Sequence, residues 1–339
     1  MTGLTPTSRH LKTMQALILQ DKSPSLVADQ PRPEPLPGEA LIRPLKAAVS
    51  ATDLELCRGL HNYSGVLGHE FVGLVESVNG EDSKNLTGQR VVGSIATQCG
   101  ECDLCRSGLG AHCRSRTILG IQGRNGCFAE QFTLPLRNLV PVPDHVDNDH
   151  AIFAHPLAAA LHAASQLTIS GKPYITVLGD GPLGLLTAQV MARLNASVRL
   201  IGRYSEKLAL CEKWGIKHRH LDDIGRRADQ DVVVDCTGSP TGLPTALGLV
   251  RPRGKIVLKT LLAPASAQTE KIDLALLVSN EVELIGSSCG SLKAAVTMLG
   301  RLEYEVLGLI GKRMRLSDGP KFLHAAAQPG ELKVIIDIT

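Results

Sequence analysis

Residues 179–184 read Gly-Asp-Gly-Pro-Leu-Gly, and their setting constrains the fold more than any other stretch of the chain. Upstream lies a short apolar run, Tyr174–Leu178. Downstream, Leu183–Leu194 repeats its apolar residues with helical spacing. A glycine-rich turn that ends a strand and opens a helix is the context in which G-x-G-x-x-G has a physical meaning. Gly179, Gly181 and Gly184 permit a tight turn and close backbone approach, and the helix N-terminus stabilises a pyrophosphate. Gly179, Gly181, Pro182, Leu183 and Gly184 are therefore the expected dinucleotide cradle.

The surrounding pattern agrees. Val198–Ile201, Asp231–Cys236, Lys255–Leu258 and Val282–Ile285 are short apolar runs, and Ser205–Trp214 has helical character. Strands alternating with helices of this length predict a doubly wound parallel sheet of the α/β class. Before residue 155 the pattern differs. Ala40–Pro44, Val66–Val78, Gln89–Ile95 and Cys127–Thr133 are apolar runs separated by Pro, Gly, Asn and Asp, which predicts a mostly antiparallel β body. The final stretch carries a helix over Leu292–Leu302 and a β-like run over Lys333–Ile338. A chain of 339 residues is long enough for two domains, each with its own core.

The strand after the fingerprint bears on which dinucleotide binds. An NAD site places an Asp or Glu about 20 residues on, to bond the ribose 2′-hydroxyl. Here that region reads Leu200-Ile201-Gly202-Arg203-Tyr204-Ser205, with no acid. Gly202 leaves room, Arg203 offers a planar cation to a 2′-phosphate, and Ser205 or Lys207 adds a donor. NADP is favoured over NAD. Thr237, just beyond the Asp231–Cys236 strand, is placed with the cofactor-binding residues, and Lys259 and Thr260 are weaker candidates for the nicotinamide end.

Four cysteines, Cys99, Cys102, Cys105 and Cys113, fall within fifteen residues with gaps of two, two and seven. Zinc takes four thiolates in a tetrahedron and then has no open position, so this set predicts a structural site. Disulfide pairing is the competing reading, but short C-x-x-C spacings and the lack of an export signal speak against it. The ferredoxin spacings of iron–sulfur clusters also differ from this one. The remaining cysteines (Cys57, Cys127, Cys211, Cys236 and Cys289) are scattered, as free thiols in a reducing cytoplasm would be.

A net charge of +3 gives no reason to expect nucleic acid or an anionic membrane as a partner. No stretch approaches the roughly eighteen apolar residues of a membrane span. Residues 1–13 are polar and read as a disordered lead or an expression remnant, with no secretory signal.

Taken in order, Ala51-Thr52-Asp53, Gly68-His69-Glu70, the four-cysteine lobe, Gly126-Cys127-Phe128-Ala129-Glu130, Pro156-Leu157-Ala158 and the fingerprint carry a resemblance. The chain resembles the medium-chain dehydrogenases/reductases, the zinc-dependent alcohol dehydrogenase superfamily, from about Gln15 to Thr339. The resemblance implies a GroES-like, mostly β catalytic domain built from residues 14–155 and 290–339, with the zinc lobe at about 97–115. It implies a Rossmann domain over 156–289, a small alcohol or carbonyl substrate in the cleft between the two, and a homodimer or homotetramer.

The departures from the family pattern concern the catalytic zinc. The resemblance implies ligands from a cysteine two residues before Thr-Asp, from the Gly-His-Glu histidine, and from a residue near the domain junction. Here the first position is Ser50, the second is His69 and the third is His155. A serine hydroxyl is a poor zinc ligand, whereas His69, Glu70 and His155 form a two-histidine, one-carboxylate set. By resemblance Thr52 passes the substrate proton towards solvent and Asp53 orients His69. A helix cap at the start of Leu54–Arg58 accounts for the same two residues without catalysis. His61 and Tyr63 are candidate pocket residues, while Cys57, His150 and His162 fit no ligand position. The expected function is a zinc-containing, NADP(H)-dependent oxidoreductase interconverting an alcohol, with polyols or sugars as the first panel, and its aldehyde or ketone. The competing expectations are an NADPH reductase of activated carbonyls or quinones with no zinc at its active site, and a non-catalytic NADP-binding protein.

Overall fold

The computed structural model describes residues 13–82, 85–225, 227–267 and 272–338. The polar lead lies outside these residues except for Thr13. No described helix is long and apolar enough to cross a membrane.

The second half of the chain builds the six-stranded parallel sheet that its apolar runs predict. Its order is Lys217–His220, Ser197–Gly202, Tyr174–Leu178, Gln230–Asp235, Val250–Leu258, Glu283–Gly286, with every neighbouring pair parallel. The chain starts in the middle, at Tyr174–Leu178, and winds outwards in both directions. That reversal opens a crevice at the carboxyl ends of the strands, where doubly wound sheets bind ligands. The helix Pro182–Ala192 follows the first strand directly and is buried along most of its length. Leu185, Leu186 and Ala188 from it share one core with Leu157, Ala158 and Ala160 of the helix Ala154–Ser165 and with Leu292, Ala295 and Val296 of Leu292–Gly300.

The first half builds a mainly antiparallel seven-stranded sheet, and both ends of the chain contribute to it. Glu39–Ala48 lies between Glu70–Val78 and the C-terminal strand Lys333–Asp337, both antiparallel to it. Ile310–Arg315 then pairs parallel with Lys333–Asp337. Scarce aromatics are concentrated beneath this sheet: Phe71 meets Phe132 edge to face at 4.7 Å, and Phe128 meets Phe322 at 5.3 Å.

Several expectations are corrected. The run Cys127–Thr133 is not one strand. The strand is Phe132–Pro135; Cys127 and Phe128 instead donate their N–H groups to Gly68 O and Leu67 O, and Phe128 O and Glu130 N pair with Leu17 and Gln15. The helix read as Leu54–Arg58 begins earlier, at Ala51, and its cap is Ser50. Lys217–His220 and Ile310–Arg315 are among the strands that no expected run covers, as are Ser23–Pro31, Thr117–Leu119 and Leu139–Pro141.

One ion pair ties the last strand to the first half of the chain. Lys333 opens Lys333–Asp337, Glu70 opens Glu70–Val78, and Nζ lies 2.8 Å from Oε2 with both side chains buried. The same ammonium donates to the carbonyl of Val49 at 3.3 Å. Removing one partner of a buried pair strands the other charge, at a cost of about 3–5 kcal/mol. Lys333→Met is therefore expected to lower unfolding free energy by about that amount in denaturant titration. A loss below about 1 kcal/mol, the range of surface pairs, would show that water reaches the carboxylate.

Candidate functional site

The Gly68-His69-Glu70 turn is set by backbone packing. Gly126 donates its N–H to Val66 O at 2.7 Å, Cys127 to Gly68 O at 2.9 Å and Phe128 to Leu67 O at 2.9 Å. A Cβ on Gly126 would run into the backbone oxygens of Leu67 and Gly68, so only glycine allows this approach. The Gly126-Cys127-Phe128 segment thus fixes the turn through which His69 and Glu70 enter the strand Glu70–Val78.

His69, Glu70 and His155 place one ligand atom each within 4.8 Å of one another, although His155 comes from the start of Ala154–Ser165. The two rings stand edge to face with centroids 5.6 Å apart. Asp53, fully buried, lies behind His69, with Oδ1 3.3 Å from Nδ1. Neither of those two atoms has an aligned hydrogen bond, so the contact is electrostatic. Ser50 is the N-cap of Ala51–Cys57: its Oγ accepts from the N–H groups of Thr52 and Asp53, and its own N–H donates to Asp53 Oδ2 at 2.8 Å. With both of those donors engaged, the Ser50 hydroxyl lies 3.2 Å from His69 Nε2.

Charge at the centre follows from its neighbours. Burial favours a neutral Glu70, but Lys333, then His155 and His69, hold its carboxyl down to about 2. Burial likewise disfavours a charged His155, but Cys289 and Glu70 outweigh it and push the imidazole up to about 10. Burial raises the Cys289 thiol, and His155 overcomes that to bring it down to about 7. His155 meets Glu70 Oε1 through Nδ1 and Cys289 Sγ through Nε2, each at 3.8 Å.

The four cysteines converge without bonding. Zinc–sulfur bonds of about 2.3 Å put the sulfurs of a tetrahedron about 3.8 Å apart. Here Cys99–Cys105 is 3.8 Å, Cys102–Cys105 3.5 Å, Cys102–Cys113 3.9 Å and Cys99–Cys113 3.5 Å. A disulfide needs about 2.05 Å, so these are free thiols at metal spacing. The backbone N–H of Cys99 holds Cys113 down to about 6, which favours the thiolate a metal requires.

At the fingerprint, Gly179 has φ 104 and a Cβ there would meet the Cys236 backbone. Gly181 caps Pro182–Ala192, and nothing lies within 4 Å of the place its Cβ would occupy. That open space above a helix N-terminus fits a pyrophosphate. Arg203 is exposed at the end of Ser197–Gly202. Asp180 was not foreseen: its Oδ2 accepts from the N–H groups of Arg203 at 2.6 Å and Tyr204 at 2.8 Å, so a carboxylate does stand beside this strand end. Two expected donors are turned away. Lys207 is 6% exposed with its ammonium 4.8 Å over the Tyr204 ring, and burial lowers its pKa. The Thr237 hydroxyl donates to Asp235 Oδ1 at 2.7 Å within its own turn. Tyr63 likewise gives its hydroxyl to Val66 O at 2.6 Å and is no pocket group, while His61 stays exposed.

The Alcohol dehydrogenase GroES-like domain family matches residues 36–144, and the Zinc-binding dehydrogenase family matches residues 182–303. An L-threonine 3-dehydrogenase of Chelativorans sp. (strain BNC1) is 32% identical over 263 residues, covering 72% of this chain and 76% of that protein. Among solved structures, a Sinorhizobium meliloti 1021 protein described as a zinc-binding dehydrogenase, bound to NADP, is 27% identical with a TM-score of 0.84, covering 96% of this chain and 100% of that one. The alcohol dehydrogenase TADH from Thermus sp. ATN1 is 25% identical with a TM-score of 0.84, at 96% and 100% coverage. A GroES-like β body joined to a Rossmann-like parallel sheet is the architecture of an oxidoreductase of the alcohol dehydrogenase type. This chain belongs to the medium-chain dehydrogenases/reductases, the zinc-dependent alcohol dehydrogenase superfamily.

A metal at the histidine cluster must displace the proton that His155 holds below a pKa of about 10. Its affinity is expected to rise by about tenfold per pH unit between about pH 6 and pH 9. Competition with a chromophoric chelator, with the four-cysteine site kept filled, reads this slope. A flat profile would show that His155 is not a ligand.

Proposed function

We propose that the protein is an NADP(H)-dependent dehydrogenase that interconverts an alcohol and its aldehyde or ketone at a zinc ion held by His69, Glu70 and His155. The observation that carries this reading is the convergence of those three side chains, with Asp53 behind His69, although His69 and His155 are far apart in sequence. When bound, zinc supplies Lewis-acid polarisation of the substrate oxygen, and the nicotinamide supplies or accepts the hydride. Asp53 holds the His69 ring with Nε2 directed to the centre. Thr52, at the start of the Ser50-capped helix, offers its hydroxyl to carry the substrate proton towards solvent. The four-cysteine lobe takes a second, structural zinc. The domains divide at 14–155 with 290–339, and at 156–289. Polyols and sugars form the first substrate panel.

Residues Gly179, Gly181, Pro182, Leu183 and Gly184 receive the pyrophosphate, and Arg203 receives the 2′-phosphate with Gly202 leaving space beside it. Asp180 holds the N–H groups of Arg203 and Tyr204 and so fixes the loop that carries the guanidinium. Arg203→Ala is expected to weaken NADPH binding by about tenfold or more, as loss of a charge-assisted pair would, and to leave NADH unchanged. Fluorescence titration of both cofactors measures it. Equal losses for both would assign Arg203 a structural role.

Nine unpaired cysteines fit a cytoplasmic location. The sheet edge Glu283–Gly286, with Leu274, Val278 and Leu284 exposed nearby, fits pairing with a second copy in a homodimer or homotetramer.

A second reading rests on the Ser50–His69 contact. Asp53, His69 and Ser50 line up as a proton relay that needs no metal, which suits a zinc-free NADPH reductase of activated carbonyls or quinones. Elemental analysis of protein purified without added metal or chelator, paired with an alcohol and carbonyl screen at the NADPH absorbance band, separates the two. Two zincs per chain and turnover abolished by chelator are expected. One zinc, no uptake on adding more, and turnover indifferent to chelator would install the relay reading. One zinc and no turnover would leave a cofactor-binding protein.

A further inference from the structure

Each histidine of the candidate centre has two ring nitrogens, and a metal can use only the one that carries no proton. For His69 the choice is fixed by Asp53, which faces Nδ1 and leaves Nε2 for the centre. His155 faces the opposite arrangement. Its Nδ1 points at Glu70 Oε1, the carboxylate within the cluster, so Nδ1 is the nitrogen on the metal side. Left to itself, the ring would place its proton on Nδ1, where Glu70 accepts it, and the ligand nitrogen would be blocked. The group on the far side decides otherwise. Cys289 Sγ lies 3.8 Å from Nε2 and is the contact described for that nitrogen.

Cys289 is held where it stands. It follows the last strand of the parallel sheet, Glu283–Gly286, at the carboxyl end where the crevice opens. Lys259, at the end of the adjacent strand, donates Nζ to Ser288 O at 2.6 Å and to Ser287 Oγ at 3.3 Å, and Ser288 Oγ donates to Cys289 Sγ at 3.8 Å. The thiol does not belong to the cluster of ligand atoms within 4.8 Å, which comprises His69, Glu70 and His155. It sits behind the imidazole, not in front of the metal.

We infer that Cys289 is the positioning residue of His155: its sulfur accepts the Nε2 proton, so that Nδ1 is free to bind the metal. This rests on the proposed zinc site. The centre then takes its two histidines from opposite sides of the cleft, each backed by an acceptor from its own side: Asp53 behind His69 and Cys289 behind His155. The proton that would otherwise sit between His155 and Glu70 is moved to the back of the ring.

The test uses the whole protein, with the four-cysteine site loaded and cobalt(II) titrated into the second site against a competing chelator. Loss of such a backing contact typically weakens metal affinity by about 10–100-fold, and Cys289→Ala is expected to fall in that range. Cys289→Ser, whose hydroxyl still accepts the proton, recovers most of the affinity. The structural site and the thermal midpoint are the internal controls and stay unchanged. Affinity of Cys289→Ala within about twofold of wild type, well short of that range, overturns the inference. Nitrogen-15 spectra of histidine-labelled protein at about pH 11, above the pKa of about 10 at which the His155 ring becomes neutral, with the second site empty, give an arm that does not depend on that site taking metal. There Nε2 of His155 carries a proton in wild type and in Cys289→Ser, and in Cys289→Ala the proton is found on Nδ1 alone. The same protonated nitrogen in all three overturns the inference. If wild type takes no second metal, the zinc reading fails, and the spectra still decide what Cys289 does.

Discussion

The buried contact between Lys333 and Glu70 organises the centre around it. A carboxylate with so little access to water must be neutralised or paired, and here the partner arrives from the far end of the chain. Because Glu70 stays ionised, it raises the proton affinity of the neighbouring imidazole and sets the sign of the field that a cation would meet. The ammonium in turn is anchored to Val49 O, one residue before the Ser50 cap. One pair of charges therefore fixes the ends of two strands and the entry to a short helix.

Ser50 shows how a residue that looks like a loss in the sequence is employed. As N-cap it satisfies orphan N–H groups at the start of Ala51–Cys57, a task cysteine performs poorly. The same oxygen then reaches His69 Nε2, so the capping geometry and the chemistry of the centre are not separable. Asp53 has the same double use, closing the capping box with one oxygen and facing His69 with the other.

Much of the architecture is legible in the sequence because burial on both faces leaves continuous apolar runs: Tyr174–Leu178, Gln230–Asp235 and the run within Val250–Leu258 have no other use for so many β-branched residues. Lys217–His220 and Ile310–Arg315 are invisible for the converse reason. Each is an edge strand, neighboured on one side only, and its sequence is polar or basic and carries no hydrophobic period. The four-cysteine lobe is legible from spacing alone, because a chelate ring is a local object. The histidine cluster is not local, and its prediction came from resemblance. Lys333, Cys289 and Asp180 were missed altogether. A lysine opening an apolar strand reads as a solvent-facing end, a single cysteine in a loop has no pattern, and the second fingerprint position has no residue rule. Their significance exists only in the folded arrangement.

The position of Lys333–Asp337 inside the first sheet has a consequence for how the molecule is made. Asp337 pairs across the sheet with Lys46, so the gap beside Glu39–Ala48 stays open until residues 333–337 have been synthesised. The parallel sheet draws only on residues 174–286 and has all its strands well before that. The strands of the parallel sheet are therefore complete before Lys333 arrives to neutralise Glu70, although their core still takes in Leu292, Ala295 and Val296. Removing Lys333–Asp337 would therefore leave Glu39–Ala48 without its partner strand and Glu70 without its buried counter-charge.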